Sequence, residues 1–167
     1  MSQVYSLTLH DCPSYLPKDA QLQIYQNSCY QFVLDKEVDY PDAKEDCQKK
    51  GGTLALPKTR HENQWLVGLL VHNFQHSDNV WIGLNDILTE MSFVWEDGSP
   101  LKPGDFSNWS PGGLLHSVDD CVSLDPPSGG QWVDYPCESH LLGLLSAKKS
   151  YVCQFDVRSV TVHSVVG

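Results

Sequence analysis

Two sets of side chains in this sequence could do chemistry, a set of cysteines and a run of carboxylates. Cys12, Cys29, Cys47, Cys121, Cys137 and Cys153 stand around a central Trp81-Ile82-Gly83-Leu84. An even cysteine count with no enzymatic signature points to an oxidising compartment and a disulfide framework. The positions suggest an order: Cys12 and Cys29 lie N-terminally, Cys121 and Cys137 bracket a tryptophan-rich stretch, and Cys47 and Cys153 remain to close nearly the whole chain. Spacing alone does not choose among the possible connectivities. The carboxylates are Asp86, Glu90, Asp97, Asp105, Asp119, Asp120 and Asp125, with Asp134 beyond them. Calcium is the ion such a set could hold, because it takes roughly 6–8 hard oxygen ligands. On composition alone, the same residues are the solvated surface of an acidic loop.

Catalytic chemistry finds little support. The sequence has no His-Glu-x-x-His, no Gly-x-Ser-x-Gly, no phosphate-binding glycine loop and no dinucleotide fingerprint. Its seven histidines lack tight metal spacing. His72 and His76 would share a helix face, but no third ligand accompanies them. The chain is therefore not read as an enzyme.

The elements that must position these groups follow from local pattern. Residues 3–9 alternate loosely and read as an edge strand or a leader. Cys29 to Leu34 reads as a strand by its Tyr, Phe and Val content. Asp39-Tyr40-Pro41-Asp42 starts a helix, with Asp39 as the cap and Pro41 in the first turn, and Gly51-Gly52 ends it. A second helix is expected from about Thr59 to Phe74, its apolar stripe supplied by Trp65, Leu66, Leu69, Leu70 and Phe74. Val80 to Leu84, Gln131 to Asp134 and Ser150 to Phe155 read as strands. Between Asp86 and Asp120 the chain is rich in Gly, Pro, Asp and Ser, and a loop of that length is functional or disordered. Asp125-Pro126-Pro127-Ser128-Gly129-Gly130 reads as a hairpin connection.

With 167 residues the chain can bury a core of its own. Its net charge of −10 argues against nucleic acid, which needs clustered Lys and Arg. No apolar run approaches the ~20 residues of a membrane span, so this segment is not expected to insert. Met1 to Asp11 lacks the pattern of a signal peptide. A disulfide chain without one is expected to be a piece of a larger secreted or cell-surface protein, which places it extracellularly.

The wider pattern resembles the C-type lectin-like domain in its long form. Carrying the resemblance are Cys29-Tyr30-Gln31-Phe32, Ala43-Lys44-Glu45-Asp46-Cys47, Gly51-Gly52-Thr53-Leu54-Ala55, Trp81-Ile82-Gly83-Leu84, Asn108-Trp109, Asp120-Cys121-Val122, Trp132-Val133-Asp134 and Tyr151-Val152-Cys153. The resemblance implies an α+β fold of two helices, short antiparallel sheets and a long irregular loop. It also implies the pairs Cys12–Cys29, Cys47–Cys153 and Cys121–Cys137. The expected boundaries are a leader over 1–11, the domain over 12–155 and a tail over 156–167.

The same resemblance sorts the carboxylates. Asp86 and Glu90 fall where an auxiliary calcium site takes two side chains, Asp120 matches a third, and Asp119 could lend a backbone oxygen. The sugar-bearing site is degenerate. Family members that bind mannose or galactose resemble one another in a Glu-Pro-Asn or Gln-Pro-Asp triplet and a Trp-Asn-Asp. Here the first segment reads Ser110-Pro111-Gly112 and the second Trp132-Val133-Asp134, so Asp134 and a shortened Asp119 are the side-chain ligands that remain. Gln154 stands where a further calcium site has a Glu. Adjacent apolar residues, Leu114 and Leu115, sit in the loop as candidate ligand contacts, and Leu141 to Leu145 form a second apolar run. These residues point to an extracellular adhesion or receptor module that binds a protein, with calcium at the auxiliary site as an ordering ion. The alternatives are a glycan-binding lectin with an atypical site and a structural module of a large matrix protein. The tryptophans are expected in the core, and Asn108-Trp109-Ser110 is an N-glycosylation sequon.

Overall fold

The computed structural model of the chain describes residues 6–112, 120–139 and 147–157. Among these the strands are β1 (Leu22–Tyr25), β2 (Ser28–Val38), β3 (Thr53–Leu54), β4 (Val80–Asn85), β5 (Val94–Trp95), β6 (Asp120–Asp125), β7 (Gln131–Pro136) and β8 (Lys149–Asp156). The helices are α1 (Tyr40–Lys49) and α2 (Arg60–Gly68), the latter continued by a π-turn over Leu69–Asn73. The strands join one sheet in the order β1-β2-β8-β4-β6-β7, with β3 on β8 and β5 on β4. This is the expected α+β fold, and its otherwise antiparallel sheet carries one parallel join, Val80 and Trp81 against Ser150 and Tyr151.

The central strand explains the Trp-Ile-Gly-Leu motif. Successive strand residues point to opposite faces, so a strand covered on both sides reads as an unbroken apolar run. Trp81 packs with Tyr40, Ala43 and Cys47, placing α1 on its face. Ile82 and Leu84 pack with Leu66, Val67 and Leu70, placing α2 on the other. Gly83 has a different task. A Cβ there would lie 2.8 Å from the Leu54 carbonyl oxygen, so only a bare backbone allows the Gly83 N–H to reach the Ala55 carbonyl at 2.8 Å.

Helix ends follow local chemistry in part. Gly51 ends α1 in the left-handed region at φ +84°, and the Thr59 hydroxyl accepts from the Glu62 N–H to cap α2. Asp39 departs from expectation. It occupies the cap position but makes no side-chain bond into α1; its carboxylate accepts instead from the backbone N–H and hydroxyl of Ser139, at 3.2 and 2.7 Å. A tertiary partner has taken the acceptor that local sequence assigned to the helix. No strand forms over residues 6–8, and Leu9–Asp11 is a short 3-10 turn instead.

The disulfides join Cys12 to Cys29, Cys47 to Cys153 and Cys121 to Cys137. The second ties α1 to β8 across 106 residues.

Candidate functional site

The long loop returns to the sheet on an aromatic anchor. Trp132 is fully buried in β7 and meets Trp95, Phe106 and Trp109 edge-on, each at 5.6 Å between ring centres. Its indole N–H donates to Asn63 Oδ1 at 2.8 Å, and the Asn63 amide donates to the Gly130 carbonyl at 3.1 Å. Its backbone N–H donates to the Asn108 carbonyl at 2.7 Å, while the Ser110 N–H donates to the Trp132 carbonyl at 2.9 Å. Trp81, Trp95 and Trp132 are thus core residues and Trp109 is half-buried against them. Asn108 is half-buried too. Its side-chain amide donates to the Gly130 carbonyl at 2.8 Å, so a sugar on that nitrogen would crowd a contact the loop base uses.

Beyond β4 the chain makes a tight turn closed by its own polar groups. Asn85 Oδ1 accepts from the Ile87 N–H at 3.1 Å, and Asp86 Oδ2 accepts from the Met91 N–H at 2.8 Å. The Ser92 N–H then donates to the Thr89 carbonyl at 2.9 Å. Met91 sits at φ +62°, a left-handed conformation that costs an L-residue ~1 kcal/mol and is held here by the charge-assisted bond its N–H donates to Asp86. Asp86 is buried, whereas Glu90 is exposed.

A second polar group braces this turn. Glu96, whose side chain is 5 % exposed, accepts from the Tyr40 hydroxyl at 2.6 Å and from the Asn85 amide at 2.8 Å, and pairs with Lys44 at 3.2 Å. Next to it, Lys58 bonds both Asp97 and the Ser99 hydroxyl. Burial alone would raise the Asp97 carboxyl, but the bonds from Lys58 and Ser99 outweigh it and hold it below the usual carboxylate range.

Of the predicted site residues, Asp119, Leu114 and Leu115 lie outside the described residues, as do Leu141 to Leu145. Asp120 is described by its backbone in β6, opposite Pro136. Asp134 stands opposite Val122 and is 5 % exposed. Among the described residues no three His, Cys, Asp or Glu side chains stand together as a metal site. Asp86 and Glu90 supply two carboxylates against the roughly 6–8 oxygens calcium takes, and Asp86 already serves the turn, so the described residues alone do not fit the ion.

Comparison with known proteins decides what this arrangement is. The sequence model of the family described as "Lectin C-type domain" matches residues 36–155. The chain belongs to the C-type lectin domain family. Over 120 residues it is 33 % identical to the versican core protein of Rattus norvegicus, a match covering 70 % of this chain and 4 % of that protein. The chain thus spans only a few per cent of the curated relatives it matches. Among solved structures it is similar to the carbohydrate-recognition domain of the mouse scavenger receptor C-type lectin, at TM-score 0.68 and 27 % identity over 84 % of this chain and 98 % of that one. It is also similar to human lithostathine, at TM-score 0.70 and 26 % identity over 93 % and 99 %.

Within this C-type lectin domain, sequence reading missed the Glu96 cluster and the apolar turn Ile87-Leu88. The second had a legible signal: large aliphatic side chains in a stretch without helical or strand period. The first had none, because Tyr40, Asn85 and Glu96 meet only after α1, β4 and β5 are assembled.

Proposed function

We propose that this C-type lectin domain is an extracellular recognition and adhesion module whose ligand is a protein. The observation that carries the reading is the state of β7, where an amide and a carboxylate would be needed to grip a sugar. Val133 supplies neither donor nor acceptor, and the Asp134 carboxylate is 5 % exposed. Vicinal hydroxyls need paired, accessible hydrogen-bonding groups, and these are absent from the Trp132-Val133-Asp134 segment. The three disulfides and the versican match support an extracellular setting. Residues 12–155 form the binding unit in this proposal, with Leu114 and Leu115 at its ligand face. Calcium enters as an ion that orders the long loop through Asp86, Glu90, Asp119 and Asp120, and not as a bridge to ligand.

The test is a glycan array with and without EDTA, run beside a panel of immobilised, purified extracellular matrix proteins. Binding to a matrix protein that survives EDTA is the expected result. Calcium-dependent glycan binding with no protein bound would replace this reading with the second one, a lectin with an atypical site. That second reading draws on the similarity to a scavenger-receptor domain described as carbohydrate-recognising.

A further inference from the structure

The dipeptide Asp97-Gly98 occurs once in the sequence, and no Asn-Gly accompanies it. In this pairing a main-chain nitrogen readily attacks the side chain before it, because glycine has no Cβ to hinder the approach. The attack joins Gly98 N to Asp97 Cγ. With the carboxyl protonated, its hydroxyl leaves with the Gly98 N–H proton as water, and a five-membered imide remains. Water then opens the imide. Opening at Cγ restores aspartate. Opening at the Asp97 main-chain carbonyl routes the chain through Cβ and leaves an isoaspartyl residue with a free α-carboxylate.

The fold commits both reacting groups elsewhere. The Gly98 N–H donates to the Trp95 carbonyl at 2.9 Å, and the Trp95 N–H donates to the Ser99 carbonyl at 2.9 Å, closing the turn around the nitrogen. Gly98 sits at φ +88°, so the turn itself sets glycine after Asp97. The Asp97 carboxylate is engaged at both oxygens. Its Oδ1 accepts from the Ser99 N–H at 3.0 Å and from the Ser99 hydroxyl at 2.6 Å. Its Oδ2 accepts from the Lys58 ammonium, which also donates to the Ser99 hydroxyl at 2.8 Å. These bonds favour the ionised form, which resists a nucleophile because an oxygen would have to leave as oxide. Lys58 reaches Asp97 across 39 residues of sequence, so its grip exists only in the folded chain.

We infer that Asp97–Gly98 is a modification site, an isoaspartate-forming bond that Lys58 and Ser99 hold shut while the domain is folded. The Lys58 and Asp97 side chains are each 37 % exposed, so water is at hand for the second step and a local opening of the turn suffices. The consequence reaches the anchor of the long loop. An isoaspartyl residue adds one backbone atom inside the turn that Trp95 and Ser99 close, and Trp95 stands edge-on to Trp132.

The test ages the oxidised chain at neutral pH and body temperature. Isoaspartate is counted with protein L-isoaspartyl methyltransferase and labelled S-adenosylmethionine, which esterifies the α-carboxylate, and is located by fragmenting peptides in a mass spectrometer. The folded chain is expected to form isoaspartate at position 97 at least about tenfold more slowly than the same chain reduced and unfolded in guanidinium chloride. Lys58→Met with Ser99→Ala should raise the folded rate about tenfold, the melting curve showing the domain still folded at the ageing temperature. If that double variant melts too low, Ser99→Ala alone takes its place, with an expected rise of about threefold. Asp97→Glu keeps a carboxylate but would need a six-membered ring, and should give no signal at position 97 in either state. Equal rates in folded and unfolded wild type overturn the inference. So does a folded variant no faster than wild type, or isoaspartate that gathers at other residues with none at position 97.

Discussion

The hydroxyl of Tyr40, the first residue of α1, donates to Glu96 Oε1 at 2.6 Å across 56 residues of sequence. That bond fastens a helix N-terminus to the residue just after β5, beyond the apolar turn. Burial first, and then the Glu96 carboxylate, push the Tyr40 phenol well above its usual value, so it remains a donor throughout the ordinary pH range. Its ring also stands edge-on to Trp81 at 5.4 Å.

Tyr40→Phe keeps the ring contact and removes one of three donors to a nearly buried carboxylate. The expected loss is about 1–3 kcal/mol of unfolding free energy by denaturant titration. A change under about 0.5 kcal/mol would mean Asn85 and Lys44 satisfy Glu96 without it.

Asp46 predicts an acid limb. Burial tends to raise its carboxyl, but the bonds from Lys50 at 2.7 Å and the Tyr151 hydroxyl at 2.5 Å prevail and leave it below the usual aspartate range. A depressed carboxyl stabilises the fold fully above the unfolded value and loses that contribution as pH falls through the folded one. Melting curves of wild type and Asp46→Asn should therefore separate at neutral pH and converge as the pH falls through the lowered folded value. Parallel curves down to the acid end would remove Asp46 from the account.

Lys149 lies over two rings, 3.6 Å from the centre of Tyr135 and 5.1 Å from that of Trp81, and is 9 % exposed. Burial lowers its ammonium, with Glu37 opposing. The charged form is thus disfavoured by folding, and stability should rise as alkaline pH passes the folded value. Lys149→Met trades the ring contacts against the buried charge and should stay within about 1 kcal/mol of wild type. Lys149→Glu, placing an anion on two ring faces, should lose about 3 kcal/mol or more.

The calcium proposal predicts a rise in melting temperature in millimolar calcium over excess EDTA. An affinity between about 0.1 and 1 mM would give about 0.4–1.4 kcal/mol at 1 mM ion. Glu90→Ala should abolish the shift. No shift in wild type would remove the ion and leave protein recognition standing.

Legibility followed the range of the interaction. Gly51, Thr59 and the apolar stripe of α2 act within one turn of chain, and their effects were readable from adjacent residues. The alternation of Trp81 and Ile82 between two faces was equally plain, because a strand covered twice has no polar side. Asp39 misled because Ser139, a hundred residues away, competes for its carboxylate. The Asp134 position was legible but its 5 % exposure was not, since burial on β7 depends on what packs above the strand. Ile87, Leu88 and Met91 were passed over. They stand in a stretch with no helical or strand period, and their exposure follows from the turn that Asp86 closes on the Met91 N–H.

The cross-links also decide how the domain bears tension. Ser28 at the start of β2 pairs with Asp156 at the end of β8, so a pull on the flanking segments would open that ladder rung by rung. It would soon meet Cys29, bonded to Cys12, and Cys153, bonded to Cys47. Between those points the covalent path leaves the backbone twice and follows only the stretch from Cys29 to Cys47. Fully drawn out, those roughly 18 residues reach about 60–65 Å, whereas the uncrosslinked stretch from Cys12 to Cys153 would reach about 465–510 Å. Under load this oxidised domain opens to a small, fixed fraction of its contour length and then stops, and a reducing environment would turn the same sequence into a long slack tether.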